Sequence, residues 1–138
     1  MDLEVSNAGE LTVAYSTVVG SGAGTSTLDV LDCAMGATTR VRNSALLGAV
    51  LGPVNCPGAT IETSAVNDED FQMEGGNTAP GVWAPDWFVS SGAGDLRWGA
   101  GAPAAVLDNL AVPNEQDLPT DIDGQERPNL GYVGADEP

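Results

Sequence analysis

A six-residue motif that occurs three times limits what this chain can fold into more than any other feature of its sequence. Each copy has a β-branched apolar residue, two variable residues, a serine, a small residue and an aliphatic residue. The copies are residues 13–18, 41–46 and 61–66. Their serines, Ser16, Ser44 and Ser64, are 28 and then 20 residues apart. Repeats at this spacing are typical of stacked architectures, and the Val, Ile and Thr content makes each copy strand-like.

The sequence around the copies favours an all-β fold. A helix needs apolar residues at i, i+3, i+4 and i+7 over several turns, and Gly, Ser or Thr interrupts every such window. Residues 20–26 and 52–58 are rich in turn-forming residues, whereas Leu28, Val30 and Cys33 predict a further strand. We therefore expect a β-solenoid, in which short strands of each coil pair in parallel with the next coil around a narrow aliphatic interior.

The recurring serines are interpreted as structural. Stacked at one position of successive coils, they are able to form a hydrogen-bonded ladder along the solenoid. A nucleophilic serine needs a base to activate it, and the chain has no histidine. The same absence excludes Ser-His-Asp and Cys-His triads and histidine-ligated zinc.

The charge of the chain excludes several kinds of partner. Its 138 residues, expected to form one domain, carry 20 acidic side chains against four arginines, which gives a net charge of −16. Binding to nucleic acid requires clustered Lys and Arg, and attraction to an anionic membrane surface requires the same. We therefore expect neither nucleic-acid binding nor membrane insertion, the latter also because no run approaches the ~18 apolar residues of a membrane span.

The two cysteines, Cys33 and Cys56, are separated by 23 residues, about one coil. They are therefore expected at similar lateral positions of neighbouring coils, and adjacent parallel strands are ~4.8 Å apart, within the range of a disulfide. Pairing in an oxidising compartment is one interpretation, and two reduced, buried thiols are the other.

The N-terminus shows no signal sequence, because Met1 is followed by acidic and not basic residues. A cytoplasmic protein and an excised domain carrying an added Met1 both fit, and the second is favoured. Residues 1–12 offer no polar cap. We therefore expect the first coil to expose an apolar end and a parallel sheet edge, through which a second copy or another protein would bind.

The composition changes near residue 67, which divides the continuous domain into coils (1–66) and a last coil with a capping segment (67–138). All three tryptophans, Trp83, Trp87 and Trp98, lie within sixteen residues of this second part. They are interpreted as a plug for the end of the apolar interior. The alternative is a carbohydrate-stacking platform.

Short motifs follow one another in this second part. They are residues 86–89 (DWFV), 94–97 (GDLR), 101–104 (GAPA), 121–128 (DIDGQERP) and 133–137 (VGADE). In this order they resemble the C-terminal end of bacterial right-handed parallel β-helix proteins of the choice-of-anchor surface or secreted type, with Ala102 where that family has serine. The resemblance covers residues 59–138. It implies a right-handed parallel β-helix of a few coils with an irregular C-terminal cap, located at the cell surface or outside the cell, and no particular activity.

Arg127 is the last basic residue and is surrounded in sequence by carboxylates. A guanidinium held by two carboxylates would clamp the tail onto the last coil. The alternative is a calcium site, the one cofactor considered, since calcium prefers oxygen ligands. Its ligands would be Asp121, Asp123, Asp136 and Glu137.

These features favour a non-catalytic structural or interaction module, such as a stalk, an adhesin or an assembly component. One alternative is a fragment of a polysaccharide-processing β-helix enzyme, for which the fold alone is no evidence. In that case Arg40 and Arg42, which alternate along one strand and so point the same way, would bind a uronate. The other alternative is a carbohydrate-binding module that uses an exposed tryptophan.

Overall fold

The computed structural model describes residues 3–5, 9–20, 30–48, 52–71, 74–108, 110–128 and 131–135. Their regular elements are β-strands and one four-residue α-helix, in agreement with the expected all-β class. The strands are β1 (Leu3–Val5), β2 (Glu10–Ala14), β3 (Thr17–Val19), β4 (Leu31–Cys33), β5 (Thr38–Arg42), β6 (Ala45–Leu47), β7 (Val54–Asn55), β8 (Thr60–Glu62), β9 (Ala65–Val66), β10 (Phe88–Ser90) and β11 (Asp95–Trp98). The helix α1 is Ala104–Leu107, and single 3-10 turns span Pro85–Trp87 and Ser91–Ala93.

The first nine strands form three units of three strands each: β1–β3, β4–β6 and β7–β9. Every unit contributes one strand to each of three parallel sheets, with strand orders β1-β4-β7, β2-β5-β8 and β3-β6-β9. Between the first two units the register is constant, so that Leu3 pairs with Leu31 and Thr17 with Ala45. The third unit is shorter, and Ala45 pairs with Ala65. The predicted parallel strand pairing is therefore present.

The repeated serine follows a left-handed corner in every unit. The corner residues Tyr15, Asn43 and Thr63 have φ of 47°, 51° and 45° and turn the chain from the second strand of a unit to the third. The backbone N–H of Ser16 donates to Oγ of Ser44 at 3.2 Å, and that of Ser44 donates to Oγ of Ser64 at 3.1 Å. The predicted serine ladder is confirmed, and its hydroxyl groups have the structural role expected of them.

Aliphatic side chains fill the space between the sheets. They alternate along the strands with outward-facing residues, as the pleat requires. Those that are buried in this inner core are Val13, Val18, Val30, Leu31, Val41, Leu46, Cys56, Ile61 and Val66.

The third sheet, β3-β6-β9, is buried on both faces. Its second face carries Val19, Ala45, Leu47 and Ala65, and these residues share an outer core with Phe88, Trp98, Leu107, Ala111 and Val133. The small alanines leave room for aromatic rings on this face. The expectation that the tryptophans plug the end of the interior is therefore corrected: the cluster that contains Trp98 covers the side of a sheet.

The end of the stack beyond β7–β9 is closed by residues 67–71 and 74–78. The Asn67 side chain exchanges two hydrogen bonds with the Gly48 backbone, and Asp68 accepts the N–H of Val54 at 3.1 Å. Asn77 ends the serine ladder, since its Oδ1 accepts the N–H of Ser64 at 3.0 Å. Polar side chains thus satisfy backbone groups of Gly48, which follows β6 of the second unit, and of Val54 and Ser64 in the last unit.

At the opposite end, β1, β2 and β3 are each the last strand of their sheet within the described residues. The predicted sheet edge is therefore present there. Val13 and Val18 of the first unit are only 8% and 4% exposed, and the expected apolar end of this unit stays a prediction. None of the described helices is long and apolar enough to cross a membrane.

Cys33 and Cys56 form a disulfide, and their Cα atoms are 4.6 Å apart. The pair of Asp32 and Asn55 in the β4–β7 register immediately precedes them. The cysteines therefore occupy the same lateral position of neighbouring units, as their spacing predicted, and the alternative of two free thiols is excluded.

Candidate functional site

Two neighbouring residues at the β5–β6 corner hold the segment 112–117 against the sheets. Arg42 meets both carboxylate oxygens of Asp117 with its two terminal nitrogens. The side-chain amide of Asn43 donates to the carbonyl oxygen of Val112 at 2.9 Å and accepts the N–H of Val112 at 3.0 Å. This amide thereby replaces the two hydrogen bonds that a neighbouring strand would supply.

The ion pair changes the acid–base behaviour of its carboxylate. The side chain of Asp117 is 4% exposed and that of Arg42 is 25% exposed. Hydrogen bonding to Arg42 is the largest of the effects that lower the pKa of Asp117 below its ordinary value, and the backbone N–H of Asn114 acts in the same direction. Asp117 is therefore held in its charged form.

Tyr15 lies between the two arginines that face this segment. Its ring centroid is 4.0 Å from Cζ of Arg127 and 5.9 Å from Cζ of Arg42. The hydroxyl is buried, and no described residue completes a hydrogen bond of good geometry with it. Burial, and after it the charge of Asp117, raises the pKa of Tyr15. The same residues line a cavity of about 460 Å³ whose rim includes the exposed side chains of Leu118 and Ile122.

Arg127 contacts the tail and the Tyr15 ring of the first unit, and the expected clamp by two carboxylates stays a prediction. The guanidinium donates to the carbonyl oxygens of Thr120 and Ala135, each at 3.3 Å, and packs on the Tyr15 ring. The carboxylates considered as its partners at positions 136 and 137 lie outside the described residues.

The outer face of the β2-β5-β8 sheet forms a polar groove of about 600 Å³. Arg40 and Arg42 point outward from β5, as their alternation predicted, and Asn114 and Gln116 form one wall. The remaining lining residues are Glu10, Thr12, Val41, Thr60 and Glu62. Of the arginines, Arg42 is paired with Asp117, whereas no hydrogen bond or ion pair engages Arg40 within the described part of the chain. Arg40 is therefore available to an anionic group.

The three tryptophans contribute to the outer core. Trp98 is 6% exposed, donates through Nε1 to the carbonyl oxygen of Val133 at 3.0 Å and stacks on Phe88 at a centroid distance of 5.2 Å. Trp83 meets Phe88 edge-on, and both Trp83 and Trp87 are half-buried against the same cluster. The carbohydrate platform stays a prediction, and only Trp83 and Trp87 have ring surface left for it.

The residues considered for calcium have other contacts in the structure. Oδ1 of Asp121 accepts the N–H groups of Asp123 and Gln125, which closes the turn 121–125. Asp123 pairs with Arg97 at 3.3 Å. Asp136 and Glu137 lie outside the described residues. No group of three or more acidic, cysteine or histidine side chains that would hold a metal occurs within the described ranges. The calcium site stays a prediction.

Tyr15, Asn43 and Asp117 were not predicted from the sequence as residues of this site. For the first two a signal existed, because the residue before each repeated serine is the one that takes the left-handed corner. Asp117 carries no such signal, since its partner Arg42 is 75 residues away in the chain.

No family model matches the chain, and no curated protein or solved structure is similar to it.

Proposed function

We propose that this chain is a non-catalytic structural and interaction module of a cell-surface or secreted protein, built as a short right-handed parallel β-helix. On this proposal each three-strand unit is one coil. The module would serve in a stalk, an adhesin or an assembly.

The observation that carries the proposal is the repetition of one corner in all three units. A left-handed residue followed by a serine recurs at the corners formed by Tyr15, Asn43 and Thr63, and the serines of the second and third units each accept the N–H of the serine in the preceding unit. Such a repeat extends a surface along one axis and does not by itself create a reaction centre. The Cys33–Cys56 disulfide agrees with an oxidising compartment.

The buried carboxylates also support a structural role. Asp68 accepts backbone N–H groups at the closed end, Asp117 pairs with Arg42, and Asp121 closes a turn. Each of these carboxylates is engaged in a contact that stabilises the fold, whereas a general acid–base pair needs carboxylates that face a substrate.

An assay for polysaccharide cleavage tests the proposal. The purified chain is incubated with acidic and neutral polysaccharides, and new reducing ends and unsaturated products are measured against a known lyase and a known hydrolase. We expect no product above the buffer control. Product formation that disappears in Glu62→Gln, which removes an outward carboxylate of the groove, would overturn the proposal and favour a polysaccharide-processing enzyme.

A second candidate, binding of an acidic polysaccharide, is favoured by the unengaged Arg40 in the 600 Å³ groove. Thr12 and Thr60 flank it in the same row of the sheet and offer hydroxyl groups. Polygalacturonate should then bind more tightly than an uncharged glucan, and Arg40→Ala should remove the difference. Arg97→Ala is the matched control, because Arg97 is exposed and already paired with Asp95. Equal binding by the Arg40→Ala protein and the unmodified protein would contradict this candidate.

A further inference from the structure

Within the part of the chain that the structure describes, the outer edge of β2 carries backbone groups without partners. The carbonyl of Gly9 and the N–H of Tyr15 bond to the β5 side. Because successive residues of a strand direct their N–H and C=O groups to opposite edges, the backbone groups of Glu10 and Thr12 point away from β5. No strand lies on that side within the described residues. Such an edge is a template for another strand.

The serine ladder is open at the same edge. The hydroxyl groups of Ser16, Ser44 and Ser64 all donate to the carbonyl oxygen two residues earlier, at 3.1, 2.8 and 2.7 Å. Oγ of Ser44 and Oγ of Ser64 also accept an N–H from the preceding unit. Oγ of Ser16 has the same geometry, and it accepts no hydrogen bond from any described residue.

A groove of about 450 Å³ runs along this edge from Thr12 to Val18, with Ala135 as its far wall. The inward side chains of Val13 and Val18 are already buried. An occupant therefore gains backbone hydrogen bonds and groove contacts and covers little further core. This combination is typical of strand addition, in which the main chain supplies affinity.

Two observations argue against a second copy of this chain as the occupant. The other end of the stack, which a head-to-tail contact would use, is closed by the side chains of Asn67, Asp68 and Asn77. A net charge of −16 also opposes the association of two copies. The same charge favours a segment with basic residues.

We propose that an extended, uncharged or basic segment of another protein adds to the outer edge of β2 as a parallel strand and turns at the Tyr15 corner. One backbone N–H of the segment donates to Oγ of Ser16 and continues the ladder. This inference rests on the proposed function as an interaction module, and it names the chemistry of the partner.

A labelled peptide with the sequence TTRVRNSALLG tests the proposal. It copies residues 38–48, which carry the repeated motif and two arginines. Binding to the whole chain is measured by fluorescence anisotropy, with a scrambled peptide of equal composition as the control for charge. We expect saturable binding of the first peptide and at least tenfold weaker binding of the second.

One change in the protein and one in the peptide test whether the peptide binds at the outer edge of β2. Thr12→Pro removes an N–H that the fold itself does not use, and it should weaken binding at least tenfold, whereas Thr12→Val keeps the N–H and changes only the side chain, so that it should weaken binding much less than Thr12→Pro. Methylation of the serine nitrogen in the peptide removes the donor to Ser16 without altering the protein, and it should weaken binding about fivefold, as for one hydrogen bond. The result with the methylated peptide can be interpreted even if the Thr12→Pro variant does not fold, because the protein is then unchanged.

Three outcomes would overturn the proposal. The first is equal binding of the motif peptide and the scrambled peptide. The second is binding that neither Thr12→Pro nor the methylated peptide alters. The third is a concentration-dependent dimer, measured by light scattering, that Thr12→Pro abolishes, because the occupant would then be a second copy. None of these depends on polysaccharide cleavage, so the failure of this inference and the failure of the proposed function are distinguishable.

Discussion

Arg42 on β5 and Asp117 form an ion pair in which both terminal guanidinium nitrogens meet the carboxylate, although 75 residues separate them in the chain. The pair joins the repeated units to the irregular second part of the molecule. It lies beside the Tyr15 ring and forms part of the wall of its cavity. The attachment of the C-terminal segment therefore depends on an ion pair as well as on apolar contacts and on neutral hydrogen bonds such as those of the Asn43 side chain.

Asp117→Asn should lower the free energy of unfolding by about 1 to 2 kcal/mol at neutral pH, because a largely buried charge-assisted contact is replaced by a weaker one. Urea unfolding monitored by tryptophan fluorescence measures this. Asp95→Asn is the matched control, since Asp95 pairs with the exposed Arg97. A loss of stability that is as large for Asp95→Asn as for Asp117→Asn would contradict the prediction.

The stability difference between the unmodified protein and Asp117→Asn should depend on pH. The pKa of Asp117 is lowered in the folded state, mainly by Arg42, whereas an aspartate in the unfolded chain titrates near pH ~3.9. A lowered folded pKa gives stability that is present above the unfolded pKa and lost as the pH falls through the folded one. The difference should be constant above about pH 5 and shrink below about pH 4. A difference that stays constant to pH 2 would show that Asp117 does not act through its charge.

Asn43 combines a backbone conformation with three side-chain hydrogen bonds, two to the Val112 backbone and one from the Thr63 hydroxyl. Asn43→Gly loses the hydrogen bonds but keeps the freedom to adopt a φ of 51°. Asn43→Ala loses both the hydrogen bonds and this conformational freedom. Its free energy of unfolding should therefore be about 1 kcal/mol lower than that of Asn43→Gly. Equal thermal and urea stability of the two variants would indicate that the corner is not strained for alanine.

The disulfide joins neighbouring units through a loop of 23 residues. Replacement of Cys33 and Cys56 together by alanine should lower the free energy of unfolding by about 3 kcal/mol, the loop-closure entropy for this length. Reduction of the unmodified protein should have a similar effect in urea unfolding. Reductant should not alter the stability of the double variant, and a change there would mean that the reductant acts elsewhere.

Gly75 lies against the backbone of Ile61 and Glu62 in β8. A Cβ atom at this position would be 2.5 Å from the carbonyl oxygen of Ile61, and φ is 62°. Gly75→Ala should cost about 2 to 4 kcal/mol through a backbone clash that cannot relax cheaply. Gly58→Ala is the control, because Gly58 also has positive φ but has open space around it. Gly58→Ala should lower the free energy of unfolding by about 1 kcal/mol, because only the backbone conformation is unfavourable there. Similar urea midpoints for both variants would contradict the closing role of Gly75.

The sequence by itself determined the repeated units. Val13, Val41 and Ile61 alternate with outward residues, and a serine follows at a constant distance, so local patterning specifies strand, corner and register together. The spacing of Cys33 and Cys56 follows from the same register, which is why their disulfide was predictable. The outward direction of Arg40 needed only the period of a strand.

Which residues pack over these units could be determined only from the tertiary structure. The position of Trp98 on the side of the β3-β6-β9 sheet depends on the small faces of Ala45 and Ala65, which become a surface only after three distant strands pair. Likewise, the path of an irregular segment determines which of the many aspartates pairs with Arg42. Period and propensity are local properties of a chain, whereas the contacts of a non-repeating segment depend on the shape that the repeats have already formed, and no local pattern encodes that shape.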